Sequence, residues 1–170
     1  MTQYIFDGII RLIAFDFDGV LTDNRVLVME SGLEGVFCNR SDGLAFDMFR
    51  AAGIPVVIIT TERNPVVEAR AAKLQAPVLQ TDGEKSIALT EYCRSAGIEL
   101  GQVLFVGNDV NDLSTMRVAG FPVAVADSHA QVKQIAWKVL STKGGDGVAR
   151  EIAEDILNLN YEAKHAARTT

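Results

Sequence analysis

Ile13-Ala14-Phe15-Asp16-Phe17-Asp18-Gly19-Val20-Leu21-Thr22-Asp23 is an apolar, β-type run that delivers two carboxylates onto a glycine turn. Side chains alternate along a strand, so Asp16 and Asp18 are expected on the same side, at the carboxyl end where parallel α/β sheets bind ligands. Like charges held that close are costly unless a cation sits between them. The alternative is a pair of solvated turn aspartates, since Asp and Gly are ordinary turn formers.

Outward from this run, further apolar segments recur at Leu12 to Phe17, Val56 to Thr60, Val103 to Val106, Val123 to Val125 and Lys138 to Leu140. Helical signals fill the gaps. Ser41-Asp42 can cap Gly43 to Ala52, and Asn64-Pro65 is an N-cap followed by proline at the first helical position. Glu84 to Ala96 stops at Gly97, and Val148 to Leu159 reads as an amphipathic closing helix. Strands alternating with helices predict an α/β fold: a parallel sheet, doubly wound in the Rossmann-like manner, with helices on both faces. Arg25 to Asn39, two β-like runs around Glu30-Ser31-Gly32, predicts a small β-hairpin flap and no cap domain. The tail from Tyr161 to Thr170 is polar and alanine-rich, which suits either a frayed end or a docking segment.

With 170 residues, 48% of them hydrophobic, the chain can fill one core, and a single domain over 1–170 is expected. A net charge of -6 argues against a nucleic-acid partner, which needs a basic face to meet phosphates. Cys38 and Cys93 lack CxxC spacing and predict neither a disulfide framework nor a zinc site. No apolar run is long enough to cross a bilayer, and Met1 to Gly8 lacks the pattern of a secretory signal, so a cytoplasmic location is expected.

Three more segments fall where a doubly wound sheet gathers its strand ends. Thr60 closes Val56-Val57-Ile58-Ile59 and offers a hydroxyl to phosphate oxygens. Lys85 follows Thr81-Asp82-Gly83-Glu84 at a helix start, where an ammonium and a helix N-terminus act together on an anion. Gly107-Asn108-Asp109-Val110-Asn111-Asp112 adds oxygen ligands after another strand. Each is weak singly; their order and spacing are strong.

That ordered set resembles the haloacid dehalogenase-like phosphatase superfamily, whose first motif is DxDx(T/V), followed by a Thr or Ser, a Lys and an acidic loop. The resemblance implies that Asp16 is the nucleophile that becomes an aspartyl phosphate and Asp18 the general acid and base. Thr60 and Lys85 would hold the transferring phosphoryl group. The implied cofactor is magnesium, taken up by the Asp16 side chain, the Asp18 carbonyl and one ligand from Asn108, Asp109 or Asp112. Relatives commonly carry Asp where this chain has Asn108; an amide oxygen still coordinates a hard cation but adds no charge.

The hairpin in place of a cap, with Arg40-Ser41-Asp42-Gly43-Leu44 and the segment Ser141 to Glu151, narrows the likeness. It is similar to the capless branch that includes 3-deoxy-D-manno-octulosonate 8-phosphate phosphatases and nonulosonate 9-phosphate phosphatases, a domain also found at the end of some acylneuraminate cytidylyltransferases. That branch implies a homotetramer with active sites at subunit interfaces. Val26, Val28, Val36 and Phe37 are apolar enough to bury against another chain, or else pack on their own core. Substrate contacts are expected from Thr61, Glu62, Arg70, Lys73, Asp42 and Arg150, with Arg70 and Lys73 meeting a substrate carboxylate from a neighbouring subunit. Thr60-Thr61-Glu62-Arg63 stands where the octulosonate enzymes usually read Thr/Ser-Gly-Arg, and Glu62, Arg70 and Lys73 resemble the nonulosonate type. The expected activity is therefore a magnesium-dependent phosphatase on a 2-keto-3-deoxy sugar acid phosphate, nine-carbon before eight-carbon. A non-catalytic partner of a cytidylyltransferase is the remaining alternative.

Gly144-Gly145-Asp146-Gly147 lacks the lysine and hydroxyl of a nucleotide loop and reads as a flexible connection. His129 and His165 have no metal-ligand spacing and read as helix-start or surface residues, and Trp137 reads as core.

Overall fold

The computed structural model describes residues 10–161. The expectations placed on Met1 to Gly8, on His165 and on the tail beyond Tyr161 lie outside the described residues. Six parallel strands form the main sheet: β1 (Leu12–Phe15), β4 (Val56–Thr60), β5 (Val78–Gln80), β6 (Val103–Gly107), β7 (Phe121–Ala124) and β8 (Lys138–Val139). Their order is β5-β4-β1-β6-β7-β8, so β1 is central and the winding reverses beside it. At such a reversal the connections leave in opposite directions and a crevice opens at the strand ends.

Alternation along the strands fills both faces. Ile13 and Phe15 of β1 join Ile58, Leu104 and Val106 beneath α1 (Ser41–Ala51), α2 (Pro65–Leu74) and α6 (Val148–Glu151), where Phe15, Phe46 and Phe49 pack as an aromatic trio. Leu12 and Ala14 face the other way, joining Val57, Ile59 and Phe105. Covering them are α3 (Lys85–Ala96), α4 (Leu113–Val118) and α5 (Ala130–Ile135), through Leu89, Cys93, Met116 and Val132. Burial of every residue of β1 and β6 explains why these strands read as unbroken apolar runs.

The flap is a separate two-stranded sheet, β2 (Thr22–Val28) with β3 (Glu34–Cys38). It carries an irregularity between Thr22 and Val26, beside Asn24 at φ 63°. Asn64 caps α2 as expected, its side chain accepting from Val66 N at 3.0 Å with Pro65 next. His129 occupies the corresponding place ahead of α5.

Four expectations change. The first helix begins at Ser41, after Arg40, without a side-chain cap. Asp42 turns inward, is fully buried, and accepts from Ala149 N at 3.0 Å, joining α1 to α6. The closing helix makes one α turn and then a π turn over Ile152–Ile156, with Leu157 N bonded to Ile152 O at 3.0 Å. Trp137 is half exposed, edge-on to Phe121, and not core.

Candidate active site

The crevice beside β1 holds a cleft of about 210 Å³ lined by Asp16, Asp18, Asn24, Thr60, Thr61, Glu62, Lys85, Asn108, Asp109 and Asn111. Asp16 follows β1 directly, and its Oδ1 accepts from Phe17 N at 2.7 Å, which closes the turn onto the carboxylate. Gly19 completes that turn at φ 77°, and a Cβ there would overlap the Asn108 side chain. Only glycine satisfies both the left-handed backbone and the close approach. Thr22 Oγ1, buried, accepts from Gly19 N at 3.1 Å and donates to Asp18 Oδ1 at 3.4 Å.

Lys85, the first residue of α3, is only 2% exposed; its Nζ lies 2.6 Å from Asp16 Oδ1 and 2.8 Å from Asp112 Oδ1. Asp112 Oδ2 in turn accepts from Asn108 N at 2.8 Å and Asp109 N at 3.4 Å. Asp112 therefore folds the acidic loop onto itself and holds the lysine, without lining the cleft. Asp109 lines the cleft, but its Oδ1 is engaged by Val110 N at 2.7 Å. Asn108 Oδ1 is buried with no hydrogen-bond partner.

One buried ammonium thus faces two buried carboxylates, leaving the cluster short of positive charge. Burial pushes the Asp16 carboxyl up to about 7, with Asp112 adding to the rise and Lys85 opposing it. Burial also raises Asp18, and Glu62 adds to the rise. Among the described residues no three His, Cys, Asp or Glu side chains form a metal cage. A hard cation would instead draw on Asp16, the orphaned amide oxygen of Asn108, an Asp18 oxygen and water. That all-oxygen donor set suits magnesium and would satisfy both the charge deficit and the lone buried acceptor.

Thr60 lies at the end of β4 with its Oγ1 accepting from Glu62 N at 2.9 Å. Thr61 is exposed at the rim, and Glu62 turns its Oε1 back to Arg63 N and Asn64 N. The other residues expected at the substrate lie elsewhere. Arg70 donates to Asn39 O at 2.6 Å, Lys73 is exposed on α2, and Arg150 pairs with Glu154. None of these three lines the cleft of this chain, and neither does the buried Asp42. Asn111, part of the oxygen-rich loop after β6, lines it as well; sequence reasoning passed over Asn24, since a polar residue inside a hairpin carries no mark of its own.

Comparison with known proteins agrees with this fold. Residues 70–152 match the model of the haloacid dehalogenase-like hydrolases. The chain is 32% identical to the 3-deoxy-D-manno-octulosonate 8-phosphate phosphatase KdsC of Haemophilus influenzae, over 87% of this chain and 83% of that one. It is 34% identical to KdsC of Escherichia coli K12, over 87% and 79% respectively. Among solved structures, the octulosonate 8-phosphate phosphatase of Moraxella catarrhalis, in complex with magnesium, phosphate and KDO, superposes with a TM-score of 0.87. That match has 29% identity and covers 99% of both chains. A protein from Streptomyces avermitilis assigned to the HAD hydrolases is 47% identical, with a TM-score of 0.83 over 85% of this chain and 83% of its own. Motif order, sheet topology and these likenesses converge: the chain belongs to the haloacid dehalogenase-like hydrolase family, among its phosphatases.

Proposed function

We propose that the protein is a magnesium-dependent phosphomonoesterase acting on a 2-keto-3-deoxy sugar acid phosphate. The observation that carries this is the single cleft shared by Asp16, Asp18, Thr60, Lys85 and Asn108. Both bonds described for Asp16 fall on Oδ1, which leaves Oδ2 as the oxygen that attacks phosphorus. The P–O bond to the sugar breaks as the new one forms, and Asp18, whose raised pKa favours the protonated form, donates its proton to the departing alkoxide. Asp18 then takes a proton from the water that attacks the aspartyl phosphate, returning both acids to their starting state. Lys85 favours the ionised form of Asp16 against burial and offsets charge on the phosphoryl group, and the Thr60 hydroxyl and neighbouring N–H groups orient its oxygens. Asp16, Asp18 and Asn108 would hold magnesium, which when bound would supply the remaining positive charge against the negative charge developing on the phosphoryl oxygens.

The named relatives favour an eight-carbon octulosonate 8-phosphate as the substrate. Glu62 at the cleft favours the second reading, a nine-carbon nonulosonate 9-phosphate, because it presents an acceptor to sugar hydroxyls where that branch has one. The two are separated by measuring phosphate release from each ester, beside generic monophosphates, in magnesium. A kcat/KM preference of at least about a hundredfold for one sugar acid identifies it. Equal, feeble rates on all esters would overturn the sugar acid assignment.

The cleft is open on one side, and Arg70 and Lys73 stand outside it on the same helix. We infer that copies of the chain assemble, as a homotetramer in this branch, with a neighbour closing the cleft and meeting these cations. The apolar hairpin supplies the surface: Val26, Val28 and Phe37 are exposed, whereas Val36 packs on the core.

A further inference from the structure

The connection from β8 to α6 is not the flexible loop its glycines suggest. Ser141 N and Thr142 N donate to Glu151 Oε1 and Oε2 at 2.9 and 2.8 Å, and Thr142 O accepts from Ala126 N at 2.9 Å. Gly144 N then donates to Asp127 Oδ1 at 2.9 Å, and Gly145 N to Val20 O at 3.0 Å. These bonds press residues 144–145 against the turn that follows β1. A Cβ on Gly144 would overlap the Gly19 carbonyl oxygen. One on Gly145, at φ 75°, would overlap Asp23 N and come within 2.7 Å of the Thr22 carbonyl carbon. Behind that turn lies Thr22, the residue whose hydroxyl holds Gly19 N and Asp18.

We infer that the 141–147 segment is a strap, anchored by Glu151 and Asp127, that fixes the turn carrying Asp18. Gly144, Gly145, Asp127 and Glu151 are then positioning residues for the proton transfer, although none lines the cleft. The backbone contacts explain the glycine pair: the strap lies main chain on main chain, a separation that a side chain would forbid. A shift of the turn by a fraction of an ångström moves the Asp18 carboxyl off the line to the leaving oxygen, while Asp16, held separately by Lys85 and Phe17 N, stays in place. This inference rests on the general acid role proposed above for Asp18.

The test compares esters that differ in their need for that acid. An alkoxide requires a proton to leave; para-nitrophenolate does not. In saturating magnesium, kcat/KM is measured for an alkyl monophosphate and for para-nitrophenyl phosphate with wild type, Gly145→Ala, Glu151→Gln and, as reference, Asp18→Asn. The ratio kcat/KM reports steps up to departure of the leaving group, so a slower second half-reaction does not blur it. Both strap variants are expected to lose about tenfold to a hundredfold on the alkyl ester and less than about threefold on the aryl ester, with Asp18→Asn showing the same selectivity on a larger scale. Equal losses on both esters, or none, overturn the strap's role. If Gly145→Ala does not fold, Glu151→Gln, which keeps volume and backbone, decides alone. A wild type inactive on both esters sinks the phosphatase mechanism and the strap with it; an active wild type with unselective variants sinks the strap only.

Discussion

The cleft and the hairpin depart from the ordinary partition of polar and apolar side chains in opposite directions. At the cleft Asp16 and Lys85 are buried, with Asp112 buried behind them, where charge is expensive unless paired. On the hairpin Val26, Leu27, Val28, Met29, Leu33 and Phe37 face outward, with Leu33 at 70% and Phe37 at 63% exposure. Scattered exposed apolar residues are normal, but six within residues 26–37 are a concentration that calls for a covering surface. Each inversion costs stability to the isolated chain and has its own use. The charge-dense interior suits phosphoryl transfer, and the apolar exterior suits the assembly proposed above.

The comparison breaks most visibly at the cleft. Asp16→Asn removes the proposed nucleophile but keeps its shape, and is expected to lower turnover at least about a thousandfold while the circular dichroism spectrum and melting transition persist. Retained turnover would show that Asp16 does not attack phosphorus. Lys85→Met tests the energetics of the same cluster. It leaves Asp16 and Asp112 facing each other without their ammonium, and breaking a buried pair in this way costs about 3–5 kcal/mol. Urea unfolding of the metal-free protein measures this, and a loss below about 1 kcal/mol would mean that the two acids are not jointly held by Lys85.

The hairpin answers differently to the same treatment. Leu33→Ser with Phe37→Ser alters side chains that contribute little to the subunit core, so the stability of the single subunit should change by less than about 0.5 kcal/mol for each. The assembly should nevertheless come apart. Light scattering is expected to show a fall in mass, accompanied by loss of activity on the sugar acid phosphate. Unchanged mass in an assembled wild type would remove the hairpin from the interface.

Sequence pattern carried the sheet and the cleft because both depend on local signals. Central strands must be apolar on both faces, and the residues at their ends are free to be Asp16, Thr60 or the Asn108 loop, so punctuation by polar residues locates the crevice. Lys85 was legible for the same reason, at a helix start after a turn. Long-range packing was not legible. Ser141 to Gly147 has the composition of a free loop, and nothing local says that Gly144 meets Gly19 across the fold. Arg70 sits on a helix face like any solvated arginine until Asn39 is brought to it. β5, at Val78–Gln80, is too short for a period to register. The π turn after Glu151 interrupts a segment whose apolar spacing suits an uninterrupted helix.

Asp42 lies between the two regimes, a charge in the core that the proposed chemistry does not use. Its Oδ1 caps α6 through Ala149 N, its Oδ2 is buried without a partner, and burial pushes the carboxyl up to about 6 against the opposing pull of Ala149 N and Arg70. In the unfolded chain the same group titrates near 3.8. The folded state therefore binds the proton more tightly, and between these two values stability falls as pH rises: the advantage is complete below the lower value and gone above the upper one. Asp42→Asn cannot ionise and keeps an oxygen for Ala149 N. Other acids, Asp16 included, titrate in both proteins and cancel in the difference. The variant should gain on wild type by one to a few kcal/mol, order of magnitude, as pH rises from about 4 to about 6.5, as read from paired urea titrations. A difference that stays flat across that window would place the Asp42 carboxyl in contact with water or a compensating cation, and would remove the contrast between a buried charge kept for chemistry and one kept to join two helices.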